Sequence, residues 1–324
     1  MSGPQLPSGY VTRSPVLEDA QAVAEVVAAT EIADTGSTNA TAEEVLSYWQ
    51  SMNCAEESIV VTTANGSIVA AADILNRSYV AVWVYGFVHP EHQGRGVGSA
   101  LVHWGEAWAR NHIHCAQSDA RVIVQHDRHV SNEAARRLFE DAGYTAVRGT
   151  YTMEIELAEP PPEPEWPHGI SVRSFVPGND ELAAHNAHED AFRDVWGRPR
   201  NTLEDLISRT RADAFDPDLW FLAEEGVEIV GVSFSRAFGS QGIIDTVGVR
   251  RGWRKRGLGL AMLRHAFVGF YQRDIHRAWL SVDAESITDA PRLYQRAGMH
   301  VTGTYIIHQK ELRAGVDLSQ HLLE

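Results

Sequence analysis

The chain has 324 residues, with 43 acidic against 28 basic side chains and a formal net charge of −15 at pH 7. At roughly 150 residues per domain this length predicts about two domains, and 44% hydrophobic with 22% charged residues is typical of packed globular protein rather than disordered chain. The acidic balance repels a phosphate backbone, so it disfavours nucleic acid as a partner and is compatible with a cationic small substrate.

Cysteine usage and hydropathy exclude two further classes of protein. Two cysteines, Cys54 and Cys115, are too few for a disulfide framework. No apolar run approaches the ~20 residues that a membrane-spanning helix needs, and residues 1–7 lack the basic and then apolar pattern of a signal peptide. We therefore expect a cytoplasmic protein with no membrane partner, and the sequence leaves its oligomeric state open.

A hairpin, a central strand, a glycine-bearing loop and a helix are predicted in this order in both halves of the chain. The turn residues Asn65-Gly66 and Glu225-Gly226 separate apolar runs, as in β-hairpins. Residues 79–88 and 242–249 are predicted central strands. Each is followed by a loop and then by a helix with an apolar stripe.

The two halves also match each other residue by residue, which indicates an internal duplication. Residues 9–14 match 169–174, and residues 88–100 match 249–261. Five prolines within residues 160–167 hold the chain extended between the copies. The predicted organisation is an N-terminal tail at 1–8, a domain at 9–157, a linker at 158–168, a second domain at 169–313 and a C-terminal tail at 314–324.

The loop after the second central strand has the chemistry of an anion site. The first N–H groups of a helix lack partners and lie at its positive dipole end, and glycines at 257 and 259 have no Cβ to keep a phosphate away. Five cations crowd this loop: Arg250, Arg251, Arg254, Lys255 and Arg256. The sequence predicts a pyrophosphate ligand here, with a tight turn bearing a solvated basic face as the alternative.

The loop pattern excludes two common nucleotide motifs. Neither Gly-Lys-Ser/Thr nor Gly-x-Gly-x-x-Gly occurs at these positions. The pattern present is Gln/Arg-x-x-Gly-x-Gly, at residues 93–98 and again at 254–259. With the valine that ends the preceding strand and a later Leu-Tyr/Phe-x-x-x-Gly segment, it is similar to the acyl-CoA-binding motifs of the GNAT superfamily of N-acetyltransferases.

The duplicated layout resembles the tandem-GNAT group that includes the mycothiol synthases, over nearly the whole chain apart from the ends and the linker. The resemblance implies an α/β fold of two tandem GNAT domains, each a twisted mixed β-sheet flanked by helices and splayed where two parallel strands part. It also implies acetyl-CoA as co-substrate and direct transfer to a primary amine of a small molecule in a ternary complex. The histidines show no metal-ligand spacing, so no metal is expected.

The resemblance assigns cofactor-binding roles residue by residue. In the C-terminal copy the strand end would bind pantetheine, the loop and helix start would hold the pyrophosphate, and a serine stands where relatives usually carry asparagine; these residues are Val247, Gly248, Val249, Arg254, Lys255, Arg256, Gly257, Leu258, Gly259, Leu260 and Ser286. The N-terminal counterparts, for which the sequence leaves CoA binding open, are Val88, Gln93, Gly94, Arg95, Gly96, Val97, Gly98 and Ser99.

Two side chains of the C-terminal copy are predicted to be catalytic. The resemblance implies that Tyr294 is the general acid that protonates the departing thiolate. The resemblance also implies a carboxylate base on the strand before the loop, and Asp245 is the carboxylate that this strand offers. It lies four residues before Val249, so period-two alternation places it on the sheet face of Val247 and Val249. Three other residues remain alternatives for the base, namely Asp283, Glu285 and His308.

The first copy lacks both catalytic groups. Phe139 stands at the position of Tyr294, and Val84 stands at the position of Asp245. A phenyl ring has no proton to donate, so the first copy is predicted to be structural or a non-catalytic CoA-binding domain.

The sequence does not identify the amine that accepts the acetyl group. The alternatives to a mycothiol-synthase-like enzyme are an aminoglycoside-type or protein N-terminal acetyltransferase and, from another class, a non-catalytic acyl-CoA sensor. The segment 185–196 is expected to line the acceptor pocket, where Glu189, Asp190 and Asp194 either attract a cationic amine or form a solvated helix face.

Overall fold

A computed structural model describes residues 6–50, 52–197, 201–212 and 215–318. The outer parts of the two predicted tails, residues 1–8 and 314–324, therefore lie outside the described residues. The chain forms two compact units: unit 1 runs to Gly149 and includes Tyr305–Leu318, and unit 2 is Thr150–Thr304.

Unit 1 follows the predicted order of helices and strands. Its elements are β1 (Tyr10–Arg13), α1 (Ala20–Thr35), α2 (Ala42–Gln50), α3 (Cys54–Glu57), β2 (Ser58–Thr63), β3 (Ile68–Arg77), β4 (Ala81–Val88), α4 (Val97–His112), β5 (Val122–His129), α5 (Glu133–Asp141) and the start of β6 (Thr145–Glu156).

Unit 2 repeats this order after a proline-rich segment without helix or strand. Its elements are β7 (Ile170–Ser174), α6 (Glu181–Ala191), α7 (Leu203–Thr210), β8 (Trp220–Glu225), β9 (Glu228–Phe238), β10 (Gln241–Val249), α8 (Leu258–Tyr271), β11 (Arg277–Asp283), α9 (Ala290–Arg296) and the start of β12 (His300–Arg313).

The units differ from the sequence copies, 9–157 and 169–313, in their last strand. In unit 1 the strand order is β1-β2-β3-β4-β5-β12, and in unit 2 it is β7-β8-β9-β10-β11-β6. Residues 305–313 of β12 pair antiparallel with β5, and residues 150–156 of β6 pair antiparallel with β11. The predicted domains differ from the units because each sheet is completed by the final strand of the other copy.

The hairpins and the mixed sheets are confirmed. Gly66 and Gly226 turn the β2–β3 and β8–β9 hairpins with φ of 89° and 66°, a backbone conformation that glycine adopts without a steric penalty. Within each sheet, one neighbouring pair of strands is parallel: β4 with β5 and β10 with β11.

The predicted splay is present in both sheets. Strands β4 and β5 are paired only over residues 81–83 and 123–125, although β4 continues to Val88. Strands β10 and β11 are likewise paired only over 241–243 and 277–279, although β10 continues to Val249. Each pair of parallel strands therefore parts half-way along and leaves backbone N–H and C=O groups facing a gap.

Buried side chains cover both faces of each sheet. In unit 1 Val84 and Phe139 belong to the core under α4 and α5, whereas Trp49 belongs to a second core under α1 and α2. In unit 2 the core beside α8 contains Phe267, and the core beside α6 and α7 contains Phe234. Each sheet is thus the middle layer of its unit.

Candidate active site in unit 2

The end of β10 has one paired edge and one free edge. Val247, Gly248 and Val249 pair with β9, while pairing with β11 has already ended at Ile243. Gly248 is required here because a Cβ would lie 2.6 Å from the Phe192 ring carbon Cε2. The free edge offers peptide donors and acceptors along the gap between β10 and β11.

The loop after β10 ends in a helix start with unused amides. Gly257 is the N-cap of α8, with φ of 88°, and nothing lies within 4 Å of the place where its Cβ would be. Among the described residues, no backbone acceptor bonds the N–H groups of residues 255–259. These amides and the positive end of the α8 dipole suit a phosphate group.

Three of the five loop cations have acidic partners, and one of them, Arg254, is among the residues predicted to hold the pyrophosphate. Arg251 forms an ion pair with Asp194, and Arg254 bonds the same carboxylate at 3.0 Å. Arg250 bonds Asp190 at 3.3 Å and pairs with Glu228. The long-range partners lie outside the loop, so the local sequence did not show this neutralisation.

Asp194 is the centre of this arrangement. Burial alone would raise the pKa of its carboxyl group, but hydrogen bonds from Arg251 and Arg254 outweigh it and hold the pKa below its usual value. Its side chain is only 9% exposed. Asp194 therefore fixes the loop, and it is not available as the attractor of a cationic amine that the sequence suggested.

Arg254 also forms hydrogen bonds that hold the loop in place. Its Nε donates to the Val249 carbonyl at 3.2 Å, and its Nη2 donates to the Ala191 carbonyl at 2.8 Å. In unit 1, Gln93 Nε2 donates to the Val88 carbonyl at 3.1 Å in the same way. The first residue of the Gln/Arg-x-x-Gly-x-Gly pattern thus ties the loop to the end of the central strand.

Two loop cations remain exposed. Lys255 has φ of 62°, and Arg256 donates only to the Gly252 carbonyl, at 3.0 Å. Within the described residues neither side chain forms an ion pair. Their charges lie beside the unused amides of residues 255–259, where an anion would gain both hydrogen bonds and Coulomb attraction.

The second glycine of the pattern has a packing role that the sequence did not predict. A Cβ on Gly259 would lie 3.1 Å from Leu293 Cδ2. A Cβ on Gly98 would meet Leu138 Cδ2 at the same 3.1 Å in unit 1. Each glycine lets the next helix approach, and α9 carries Tyr294.

Tyr294 lies against the core beside α8. Its ring packs against a cluster of buried residues that includes Leu280 and Val282 of β11. Val247 of β10 packs against the same cluster. Among the described residues no hydrogen bond engages its hydroxyl group. Burial raises the pKa of Tyr294 to about 12, so the phenol keeps its proton at neutral pH.

Asp245 does not share the face of Val247, which corrects the alternation argument. The β9–β10 register shifts between Ile244 and Thr246, so Asp245 is the extra residue of a β-bulge. Its two oxygens accept hydrogen bonds from Arg236 at 2.7 and 2.8 Å, and Arg209 lies 3.4 Å away. The bulge also means that Asp245 has no counterpart in unit 1.

The remaining predicted residues differ in how close they lie to the gap of unit 2. His308 belongs to unit 1, where β12 pairs with β5, so it is wrong as a base for unit 2. Asp283 ends β11, and its Oδ1 accepts the Glu285 N–H at 3.0 Å. The Ser286 hydroxyl group bonds that of Thr288 at 3.0 Å. Leu258 is buried, and Leu260 lies partly buried in the first turn of α8.

The loop of unit 1 has the same backbone with different surroundings. Gly96 caps α4 with φ of 84°, but a Cβ there would lie 3.2 Å from Pro7 Cγ. Arg95 bonds the Tyr10 hydroxyl at 3.4 Å. The remaining predicted positions surround this cap, with Gly94 at φ of 69°, Val97 buried and Ser99 partly buried.

Phe139 of unit 1 occupies an aromatic stack. Its ring centroid is 4.7 Å from that of His126 and 5.3 Å from that of His308. Burial lowers the pKa of His126 to about 4, so this histidine is neutral at pH 7. Phe139 itself has no ionisable group, so the unit 1 residue at the position of Tyr294 cannot donate a proton.

Metal-site clusters and membrane-spanning helices are both absent from the described residues. No group of three or more His, Cys, Asp or Glu side chains has the arrangement of a metal site. No helix in the described ranges has the length and apolar character that crossing a membrane requires.

Comparisons with known proteins identify the family. Residues 55–146 match the acetyltransferase (GNAT) domain, and residues 182–299 match the acetyltransferase (GNAT) family. A mycothiol acetyltransferase of Streptomyces scabiei is 34% identical over 69% of this chain and 70% of its own length. One of Thermobispora bispora is 33% identical over 65% and 70%. The chain belongs to the GNAT acetyltransferases, with two GNAT domains in tandem.

Solved structures agree with this assignment. The crystal structure of a GCN5-related N-acetyltransferase from Sphaerobacter thermophilus has a TM-score of 0.86 and 46% identity, covering 98% of this chain and all of that one. A tandem GNAT protein from the clavulanic acid biosynthesis pathway has a TM-score of 0.68 at 13% identity, over 95% of this chain and all of its own, and shows the fold alone. The protein is therefore an acyltransferase, and acetyl-CoA is the acetyl donor that its family uses.

Proposed function

We propose that unit 2 transfers an acetyl group from acetyl-CoA directly to a primary amine of a small molecule, in a ternary complex, with an acceptor like that of the mycothiol acetyltransferases it resembles. The observation that carries the proposal is the pairing of unused amides at residues 255–259 with a protonated Tyr294 in the same unit. The bound co-substrate would supply an activated thioester.

The residues present fit this co-substrate. The amides of residues 255–259 would donate to its pyrophosphate, and Lys255 and Arg256 would balance the phosphate charge. The free edge of Val247, Gly248 and Val249 would bond the amides of its pantetheine arm. Gly257 leaves the backbone open to a phosphate, since nothing lies within 4 Å of its absent Cβ.

Tyr294 would supply the proton that the departing thiolate requires. Its raised pKa keeps the hydroxyl group protonated, and its position on α9 depends on Gly259, which lets α9 pack closely on α8. A phenol with no competing hydrogen bond is free to donate.

Two carboxylates compete for removal of the ammonium proton. Asp245 remains the predicted base, but Arg236 occupies both of its oxygens. Asp283 ends β11, one of the two strands that border the gap. Asp245→Asn and Asp283→Asn distinguish them, because loss of the base lowers kcat and removes the acidic limb of the pH–rate profile.

Direct transfer is favoured by the distribution of thiols. Both cysteines of the chain, Cys54 and Cys115, belong to unit 1, so unit 2 has no thiol to form an acetyl-enzyme. A ternary complex then brings the amine to the thioester without an intermediate on the protein, and intersecting lines in a two-substrate kinetic analysis are expected.

The experiment combines acetyl-CoA with a panel of amines and measures thiol release and the mass of each product. We expect release with a small primary amine, including the unacetylated form of mycothiol. Acetylation found only with an aminoglycoside or only with peptide N-termini would show that the enzyme belongs to one of those two classes instead. Binding of acetyl-CoA without release for any acceptor would indicate an acyl-CoA sensor and reject the proposal.

A further inference from the structure

The sheet face of unit 1 beside α2 has a chemistry of its own. Asp73 of β3 lies directly opposite Tyr85 of β4, and the Trp83 ring stacks on Tyr85 with centroids 5.9 Å apart and 10° between the planes. Trp49 of α2 donates its Nε1–H to Asp73 at 3.2 Å, which fixes the face on which this group lies.

Asp127 joins this group at the point where the strands part. Gln125 is the last residue of β5 paired with β4, in register with Trp83, and Asp127 and Tyr85 each follow two residues later on their strands, where the gap opens. Residues two apart on a strand share a face. The charge of Asp127 contributes to the raised pKa of Tyr85, as expected for close neighbours. We call Asp73, Trp83, Tyr85 and Asp127 the unit 1 recess.

Asp127 is partly buried and has no partner that would balance its charge. Among the described residues no side chain donates to it, and the hydrogen bond it accepts comes from its own backbone N–H. Asp73, by contrast, accepts hydrogen bonds from Trp49 and Ser58. Burial raises the pKa of Asp127 to about 6, because the carboxylate lies in the recess without a counter-ion.

The recess is not a remnant of the catalytic copy. Strand registers place Phe234 where unit 1 has Asp73, Thr246 where it has Tyr85, and Ser281 where it has Asp127. Both carboxylates are therefore specific to unit 1. An unpaired acid in an aromatic recess is costly unless a ligand uses it.

The surrounding charge favours a cation. Unit 1, residues 1–149 together with 305–318, holds 11 basic and 19 acidic side chains. The titratable groups that face the recess or lie close enough to influence it come from α1, α2, β3, β4, β5 and β12, and they are Glu31, Asp34, Tyr48, Asp73, Arg77, Tyr85, Asp127, His129 and Tyr305.

We propose that the unit 1 recess binds a small organic ammonium ion, with the Asp127 carboxylate as counter-ion and the rings of Trp83 and Tyr85 as an apolar wall. An ammonium group next to a carboxylate and aromatic rings gains ion pairing and cation–π attraction together. This site is separate from the acetyl transfer proposed for unit 2, and it gives the N-terminal domain a binding role of its own.

The test is calorimetric titration of the full chain at pH 8 with 2-phenylethylamine, and with 2-phenylethanol as a neutral analogue of similar shape. Acetyl-CoA is omitted, so turnover plays no part. We expect saturable binding of the amine and affinity for the alcohol at least about tenfold weaker, since hydrogen bonds to charged groups contribute about 1.5–3 kcal/mol.

Asp127→Asn should weaken amine binding by at least about tenfold, and Ser281→Ala, at the counterpart position of unit 2, should leave it unchanged. The wild-type protein should also lose affinity between pH 8 and pH 5 as Asp127 becomes protonated, a measurement that needs no variant. Equal affinity for amine and alcohol, equal affinity of Asp127→Asn, or no saturable binding at pH 8 would overturn the proposal.

This result is independent of the proposed function. If acetyl transfer is observed but amine binding does not depend on Asp127, only the proposed binding role of the recess is rejected. If amine binding depends on Asp127 but no transfer is observed, only the proposed catalytic role of unit 2 is rejected.

Discussion

The two units carry the same loop on the same helix start and differ in what surrounds it. Both share the contact from the loop to the strand end, made by Gln93 in unit 1 and Arg254 in unit 2. In unit 1, however, Pro7 lies near Gly96, whereas Gly257 of unit 2 has nothing near its Cβ position. The comparison teaches that the fold is kept by a few packing and hydrogen-bond contacts, while the chemistry depends on separate residues that folding does not require.

The largest expected effect comes from removing Tyr294, the predicted general acid, whose position in unit 1 is occupied by Phe139. Tyr294→Phe should lower kcat by about 10²–10⁴-fold, the usual contribution of a general acid, with the KM for acetyl-CoA unchanged. Steady-state kinetics measure both constants. The reciprocal variant Phe139→Tyr should leave activity at the wild-type level, and a changed KM with normal kcat in Tyr294→Phe would contradict the acid role.

The second comparison concerns Asp127 of unit 1, whose position in unit 2 is occupied by Ser281. The pKa of Asp127 is about 6 in the folded protein against 3.8 for a free carboxyl group, so folding penalises its charged form. That penalty is fully present above about pH 6, and it declines as the pH falls from 6 through 4. Asp127→Asn should therefore raise the free energy of unfolding by about 2–3 kcal/mol at pH 8 and by about 1 kcal/mol at pH 4.5.

Urea unfolding at the two pH values measures this difference. Asp141→Asn, at an exposed position at the end of α5, is the matched control and should change stability at neither pH. An Asp127→Asn protein no more stable than wild type at pH 8 would show that the carboxylate is not isolated.

The exposed cations of the two loops allow a third comparison. The double variant Lys255→Ala/Arg256→Ala should weaken CoA binding by about 10–100-fold, since charge-assisted bonds to phosphate contribute about 1.5–3 kcal/mol before screening by salt. Arg95→Ala in unit 1 is the matched control, with a smaller loss. Equilibrium titration at two salt concentrations measures both, and an equal loss in both variants would remove the distinction between the loops.

The smallest effect tests the shared contact to the strand end. Arg254→Gln should keep the bond to the Val249 carbonyl, as Gln93 does in unit 1, and lose the contacts with Asp194 and the Ala191 carbonyl. Arg254→Ala loses all three contacts and should be less stable than Arg254→Gln by about 1 kcal/mol. Thermal unfolding compares the two variants, and identical stabilities would contradict a role for this hydrogen bond.

The sequence predicted what local patterns determine. The hairpins at Gly66 and Gly226, the glycine loops and the duplicated order of elements each depend on neighbouring residues, and all of them are present. The motif identified Tyr294 as the candidate acid, and the structure places it on α9, after β11. The long-range features were not predictable in this way, since Asp194 pairs with arginines 57 and 60 residues away.

Three further errors have physical causes. The bulge at Asp245 adds one residue to a single strand and reverses the face that alternation predicts. The exchange of the final strands moved His308 into unit 1, and no pattern of hydropathy records which sheet a strand completes. Asp127 was overlooked because its importance lies in the absence of a partner, which only a structure shows.

The central claim is that the amides of residues 255–259 hold the diphosphate of CoA. Hydrogen exchange of the full chain, with and without CoA, tests it most directly in the Tyr294→Phe variant, where turnover is suppressed. The account predicts strong new protection at residues 255–259. Protection that appears only at residues 94–98, or nowhere along either loop, would contradict it.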